Sequence, residues 1–399
     1  MLPSLSLAAA RLAIVAMALA VITVCAAALP PAKALQRTGV GPARCVAGPR
    51  AGCALGSQRG SRQPGTAGDK EAGGEGSGGL PSAGAAAKPG EAEGAFRFFS
   101  PTSFWNTPLP ADAVLDPRSA EMTAALDTEV QREIRDGKGP AINTTAFSVP
   151  IYTVPADQPT VEVNLRQSSP AAALRSAWRS VPLPDNAEPA AGTDHHLVVW
   201  QPSTDRLWEF WHLQRRFDGW EAGWGGAMQD VSTSSGAYGP DSWPGATPWW
   251  GASASSLSIA GGLITLEDLQ QGKIDHVLAI ALPAIRAGLY ASPAQRTDGK
   301  SSDPLSLPEG AHLRLDPSVD IGALNLPPLT RMIAEAAQRY GIVVRDGASS
   351  VALYAQDPTP TGKNPFSGPN GYFEGQRAPL KSFPWNRLQL LRMELTEVA

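Results

Sequence analysis

Short apolar runs and two-residue alternations dominate residues 96–399, separated by stretches rich in Gly, Pro and Ser. Alternation with a period of two is the signature of a strand whose two faces differ, and turn residues between such runs mark loop-connected sheets. "SVPIYTVP" (148–155) and "TVEVNL" (160–165) predict short strands. Residues 197–200 and 207–213 are apolar and aromatic, and the turn between them contains Pro202, Ser203 and Asp205, which predicts a β-hairpin. Alternation puts His196, Val198 and Trp200 on one face of the first strand. In the second strand Glu209 and Trp211 share a face, with Trp208, Phe210 and His212 on the other. Whether His196 and Glu209 meet depends on register, which alternation leaves open. "HVLAIALP" (276–283) predicts a buried strand beginning at His276. Residues 342–344 and 351–354 predict two further strands, with Asp346-Gly347 as a tight turn between them.

Helical periodicity is confined to a few stretches. Asp116-Pro117 precedes a helix reaching Asp136, with Met122, Ala125, Val130 and Ile134 on one face and Gly137 and Gly139 ending it. Thr265 caps a short helix that stops at Gly272, and residues 329–340 form an amphipathic helix ending at Gly341. Strands joined mostly by loops predict a mainly β fold class, a β-sandwich or jelly-roll-like single domain with a few short peripheral helices.

Two segments precede that domain. Arg11 leads into an apolar run over 12–29, broken only by Thr23, and Ala32-Lys33-Ala34 has the small-x-small form of a cleavage site. This predicts a secretory signal over residues 1–34, with an uncleaved membrane anchor as the alternative. Residues 35–95 are rich in Gly, Ala, Ser, Pro and Glu, with almost no aromatic or β-branched side chains. Such a segment buries too little apolar area to offset its ordering entropy, which predicts a disordered linker. The domain is therefore expected to be secreted or held at the cell surface, with membrane contact only through the N-terminal segment if it is uncleaved. Cys25 lies in the apolar run, while Cys45 and Cys53 are close enough to close a small loop in an oxidising compartment. Residues 96–399 contain no cysteine, so their core needs neither disulfides nor a Cys-based zinc site. A net charge of -4 and the lack of a basic stripe argue against a nucleic-acid partner.

Eight of the eleven tryptophans fall between Trp200 and Trp250, and all five histidines between His195 and His312. Trp224, Trp249 and Trp250 sit among turn residues and are candidate stacking surfaces for flat ligands, of which sugar rings are the commonest outside cells. Trp200 and Trp208 read as core, and His212 and His312 as structural. The partner implied is a polysaccharide or cell-wall glycan.

The order of features around His276 carries a resemblance. "FSPTSFWNTPLP" opens the domain, and "WGASASSLSIAGGLITLEDLQQGKIDHVLAIALP" is followed by "YASPAQRTDG", "LPEGAHLRLDPSVDI" and "TRMIAEAAQRYGIVVRDG". This resembles a largely uncharacterised group of secreted actinobacterial proteins, and more distantly it is similar to secreted bacterial and fungal proteins. The resemblance spans nearly all of residues 96–399 and implies export and a β-rich, catalytic-looking scaffold. It brings no activity with it.

Three chemistries fit His196, Glu209, His276 and Arg296, each in or beside a strand or aromatic loop. A polysaccharide lyase needs a base for the proton α to a uronate carboxylate and a cation to neutralise that carboxylate. His196 or His276 would be the base, Tyr290 its partner, Arg296 the clamp and Asp298 a substrate contact. A glycoside hydrolase needs two carboxyl groups flanking the scissile bond. Glu209 would be the acid, with Asp194, Asp298 or Asp230 as its partner. A divalent metal on His196, Glu209 and His276 has suitable ligand types but lacks motif spacing, so no cofactor is expected. A buried polar network tying strands together accounts for the same residues without catalysis. No G-x-S-x-G elbow is present. The expectation is an exported carbohydrate-active enzyme, a glycoside hydrolase or polysaccharide lyase, with a non-catalytic glycan-binding or envelope-structural protein as the alternative.

Overall fold

The computed structural model describes residues 97–398, apart from 168–170, 369–370 and 374–378. The expected export segment, the linker, the Cys45–Cys53 pair and Phe96 lie outside the described residues. The described chain is mostly strands in several mixed sheets, with few helices. The largest sheet has six strands in the order β1 (Ala141–Asn143), β13 (Ala352–Tyr354), β9 (Leu278–Leu282), β12 (Ile342–Gly347), β11 (His312–Leu315) and β15 (Leu388–Leu390). A five-stranded sheet runs β14 (Gln356–Asp357), β2 (Val149–Thr153), β4 (Leu197–Gln201), β5 (Arg206–Trp211) and β8 (Trp224–Met228). A third sheet joins β3 (Val163–Leu165), β7 (Gly219–Ala222) and β6 (Gln214–Arg216), and β10 (Leu289–Ala291) pairs with β16 (Leu395–Glu397).

The apolar run read as a buried strand is β9, and both of its faces are covered. Ala279 and Ala281 join a hydrophobic cluster with Ile151, Val198 and Leu207 of the five-stranded sheet. Leu278, Ile280 and Leu282 join a second cluster with helices α1 (Ser119–Asp136) and α4 (Pro328–Arg339). A strand buried on two faces reads as a continuous apolar run for this reason. The small side chains face the second sheet and the large ones face the helices. Helix α1 buries Met122, Leu126 and Val130 as its stripe, with Ala125 and Ile134 half-buried, and ends on Gly137 in the left-handed region. A six-residue helix that the hydrophobic pattern does not signal, α2 (Ala172–Ala177), precedes the fully buried Trp178. Helix α3 (Leu266–Gln271) carries the capping box expected at Thr265, with Asp268 as its reciprocal partner and Gly272 as its stop.

The C-terminal hairpin expectation is corrected. β12 and β13 do not pair with each other; β9 lies between them, parallel to β12 and antiparallel to β13. Asp346 and Gly347 continue β12 rather than turning the chain. Inserting β9 buries both of its edges, which a local hairpin could not do. The register slips between Val344 and Asp346, so Arg345 is the extra residue of a β-bulge. Such bulges re-aim a side chain away from its strand's alternation.

The β4–β5 hairpin forms as expected, and its register pairs Val198 with Glu209. Beneath this pair, β8 passes so close that a side chain at Gly225 would put its Cβ 2.0 Å from the Glu209 carbonyl oxygen. We expect Gly225→Ala to lower unfolding free energy by about 3 kcal/mol, the scale of strained overpacking, measured by urea denaturation. An unchanged midpoint would mean that β8 shifts freely.

Candidate functional site

The start of β4 and the end of β12 meet a loop of small residues, "GASASSLSIAGG" (251–262). Gly251 at φ +111 and Gly262 at φ +71 let the loop pass between the sheets, since Cβ atoms there would come within 2.9 Å and 2.6 Å of neighbours. His196 lies two residues before Val198 and shares the face of Glu209 across the pair, so both side chains reach the backbone of the same residue, Ala252. The Ala252 carbonyl accepts from His196 Nε2 at 3.3 Å, and its N–H donates to Glu209 Oε1 at 2.7 Å. Glu209 Oε2 accepts from Ser258 Oγ at 2.6 Å and from the Ile259 N–H at 3.0 Å. Burial pushes the Glu209 pKa up, and these donors oppose the shift. Glu209 thereby holds the loop at three points.

Arg296 grips the same loop from the other side. Its Nη2 donates to the carbonyls of Gly251 at 3.1 Å and Ser253 at 2.7 Å, while its buried Nε has no hydrogen-bond partner. Glu309, Asp346 and Asp298 surround it electrostatically. Asp298 donates its N–H to Glu309 Oε2 at 3.2 Å. Glu309 is fully buried, and desolvation raises its pKa to about 8. Asp346 is pushed up to about 6 by burial, although it accepts from the Ala254 N–H at 3.2 Å. Arg345, aimed by its bulge, donates from Nη1 to the carbonyls of Ile259 at 3.2 Å and Gly261 at 2.9 Å, and its guanidinium lies 3.8 Å from the Tyr354 ring centroid. Its Nε and Nη2 are buried without hydrogen-bond partners.

The chain just before this loop, residues 247–249, is exposed. Trp249 is 67% exposed, and half-buried Trp224 donates Nε1–H to the Trp249 carbonyl at 3.0 Å. Trp211 stacks near His212, with ring centroids 3.8 Å apart, and Arg166 donates to His212 Nδ1 at 3.0 Å. Trp250 is only 2% exposed and packs in the core, so the expected stacking surface narrows to Trp249 and Trp224. Trp200, Trp208 and His312 are buried or nearly so, with His312 Nε2 donating to the Tyr340 carbonyl at 2.9 Å.

His276 and Tyr290 are not brought to this point. His276 stands before the first residue of β9, whereas Asp346 pairs with Ala281 near its end. Its Nε2 donates to Asp268 Oδ2 at 3.0 Å and its Nδ1 to the Val277 carbonyl at 2.9 Å. Burial is the largest single influence and lowers its pKa, but the hydrogen bond and charge of Asp268 together with the bond to the Val277 carbonyl raise it overall. Tyr290 lies on β10 opposite Thr396. Asp230 follows β8, and the Asp194 carbonyl accepts from the His212 N–H at 2.7 Å. The three residues weighed as metal ligands therefore face different partners, and among the described residues no group of three or more His, Cys, Asp or Glu side chains is placed to hold a metal ion.

Arg345, Asp346 and Glu309 belong to this site and were not singled out from the sequence. An arginine inside the apolar run "IVVRD" was the available signal, since a charge in a buried strand requires a partner. No family model matches the chain, and neither a curated protein nor a solved structure matches it.

A pH prediction follows from Glu309. A carboxyl whose folded pKa is raised stabilises the fold below its unfolded value and loses that contribution as pH rises through its folded value. Glu309 therefore makes the protein less stable between about pH 4.5 and about pH 8. Glu309→Gln should flatten this decline in urea midpoints taken at several pH values. An identical slope in both proteins would show that Glu309 titrates normally.

Proposed function

We propose that the protein is an exported carbohydrate-active enzyme of the polysaccharide-lyase type, acting on a uronate-containing extracellular or cell-wall polysaccharide. The observation that carries this reading is the state of His196. Burial lowers its pKa to about 4, so the ring is neutral at neutral pH. A carbonyl can only accept, so the bond to Ala252 puts the single ring proton on Nε2. Nδ1 then holds a lone pair, and this atom is buried with no hydrogen-bond partner. A neutral imidazole with a free lone pair suits a general base. Arg296 is the cation beside the same loop, suited to stabilise an enolate-like carboxylate as the α proton leaves. The proton passes from carbon to His196 Nδ1, the C–H electron pair becomes the double bond, and the C–O bond breaks with its pair on the glycosidic oxygen, which takes a proton from water. Trp249, with Trp224 beside it, would bind neighbouring sugars. A β-sandwich-like frame is supported by the hydrophobic cluster shared between the five- and six-stranded sheets.

The hydrolase reading has weaker support, because both Glu209 oxygens are taken by backbone and hydroxyl donors. The test is to incubate purified protein with uronate-containing and neutral polysaccharides, following unsaturated-product absorbance and reducing ends together. Absorbance on uronate polymers is expected. Reducing ends without absorbance would sink the lyase and favour a hydrolase. Silence in both, with polysaccharide still retarding the protein on a gel, would favour a glycan-binding module. Arg296→Lys should raise KM on a uronate polymer about tenfold, because a lysine cannot reproduce the planar fork. An unchanged KM would remove Arg296 from substrate contact.

A further inference from the structure

A groove of about 460 Å³ opens where β9 begins, lined in part by the far end of the 251–262 loop but not by His196, Glu209 or Arg296, and three of its polar side chains are held in fixed orientations. Asn106 Nδ2 is committed to the carbonyls of Phe98, Phe99 and Ser100 at 2.9, 3.2 and 3.1 Å, which leaves Oδ1 as the arm it offers. Asp268 Oδ2 accepts from Thr265 N and Oγ1 at 2.8 and 2.6 Å and from His276 at 3.0 Å, which leaves Oδ1. Gln356 Oε1 accepts from the Leu266 N–H at 3.1 Å, which leaves the Nε2 donors. All three residues line the groove, together with Phe98 and Trp200, whose rings meet edge to face at 5.6 Å.

These three side chains offer two acceptors and one donor group beside an apolar wall, and Gln270, Gln271 and Thr361 add neutral polar groups to the lining. A ligand that matches the three fixed arms mainly donates hydrogen bonds to them and carries one apolar face. A pyranose ring has this chemistry. Asp268 is paired with His276 and Asp275 with Arg97, Lys273 and Arg339, which among the described residues leaves Glu267 as the lining carboxylate without a basic partner and gives no cationic clamp for an anion. His276 cannot act there as a base, because both ring nitrogens already donate. The volume is in the range of small-molecule sites. We propose that this groove is a non-catalytic binding site for a neutral saccharide of one or two units, separate from the His196–Arg296 site. The inference does not depend on the lyase reading.

The test is calorimetric titration of the purified protein with cellobiose, with glucuronate and glucosamine as the anionic and cationic comparisons. Cellobiose is expected to bind best, with a Kd of about 1 mM. Gln271 is an exposed residue at the end of α3 on the groove lip, so Gln271→Trp should obstruct the groove without touching the core and weaken binding at least about tenfold. Gln356→Ala should weaken it about fivefold by removing the donor. Trp249→Ala should leave cellobiose affinity unchanged, whatever it does to polysaccharide cleavage. The proposal is overturned if cellobiose shows no binding at about 20 mM, if glucuronate or glucosamine binds more tightly, or if Trp249→Ala abolishes binding while Gln271→Trp does not. Binding of cellobiose with no cleavage of any polymer would uphold the groove and remove the lyase.

Discussion

His196→Gln is expected to lower unsaturated-product formation on a uronate polymer by at least about 100-fold, the lower end of what a positioned general base contributes. Glutamine retains an N–H for the Ala252 carbonyl but has no basic nitrogen, so the loop should stay in place while the proton acceptor is lost. The variant should keep its affinity for the polymer, with the loss falling in kcat. Wild-type activity should also persist well below pH 6.5 and fall only as the pH approaches about 4, because burial holds His196 neutral over that range. Stability should behave differently. A histidine whose folded pKa is depressed binds its proton more readily in the unfolded chain, so its contribution is complete above about pH 6.5 and is lost as pH falls towards 4. His196 and half-buried His312 both behave this way. Rates measured across pH 4–8, with urea midpoints at each pH, separate loss of base from loss of fold. An acid limb at pH 6.5 without unfolding, or a His196→Gln enzyme with full kcat, would remove His196 from the chemistry.

Glu209→Ala is expected to lower unfolding free energy by about 4 kcal/mol, the scale of several buried donors losing one acceptor group. The N–H groups of Ala252 and Ile259 and the Ser258 hydroxyl would all lose their acceptor inside the core. The same loop presents the carbonyls held by His196, Arg296 and Arg345. Cleavage should fall with stability, and hydrogen exchange at Ala252 and Ile259 should quicken before that of β9. Glu209→Gln should be nearly as damaging, because its amide nitrogen would face donors. Lost cleavage with stability unchanged would instead make Glu209 a reacting carboxyl and revive the hydrolase.

Local pattern made several elements legible. The β4–β5 hairpin, the buried run of β9, the capping box at Thr265 and the glycine-ended helix α1 rest on spacing, end chemistry and alternation. The same logic misjudged residues 342–354, because Asp346-Gly347 carries a turn signature whether or not a third strand intervenes. It missed α2, which is too short for periodicity to show. The tryptophan concentration marked the right region but for mixed reasons. Trp200, Trp208, Trp220 and Trp250 fill the core, and only Trp249 among the cluster is fully on the surface.

By itself, the sequence determined that the described domain would be mainly β and cysteine-free, because composition and alternation are properties of neighbouring residues. It also marked His196, Glu209 and Arg296 as chemistry worth following. Only the tertiary structure decided that these three converge, because register, the strand inserted between β12 and β13, and the path of residues 251–262 are long-range pairings. The same pairings sent His276 to a separate groove and aimed Arg345 through a one-residue bulge. A one-residue change in register would have turned Glu209 away from His196, since side chains alternate faces along a strand.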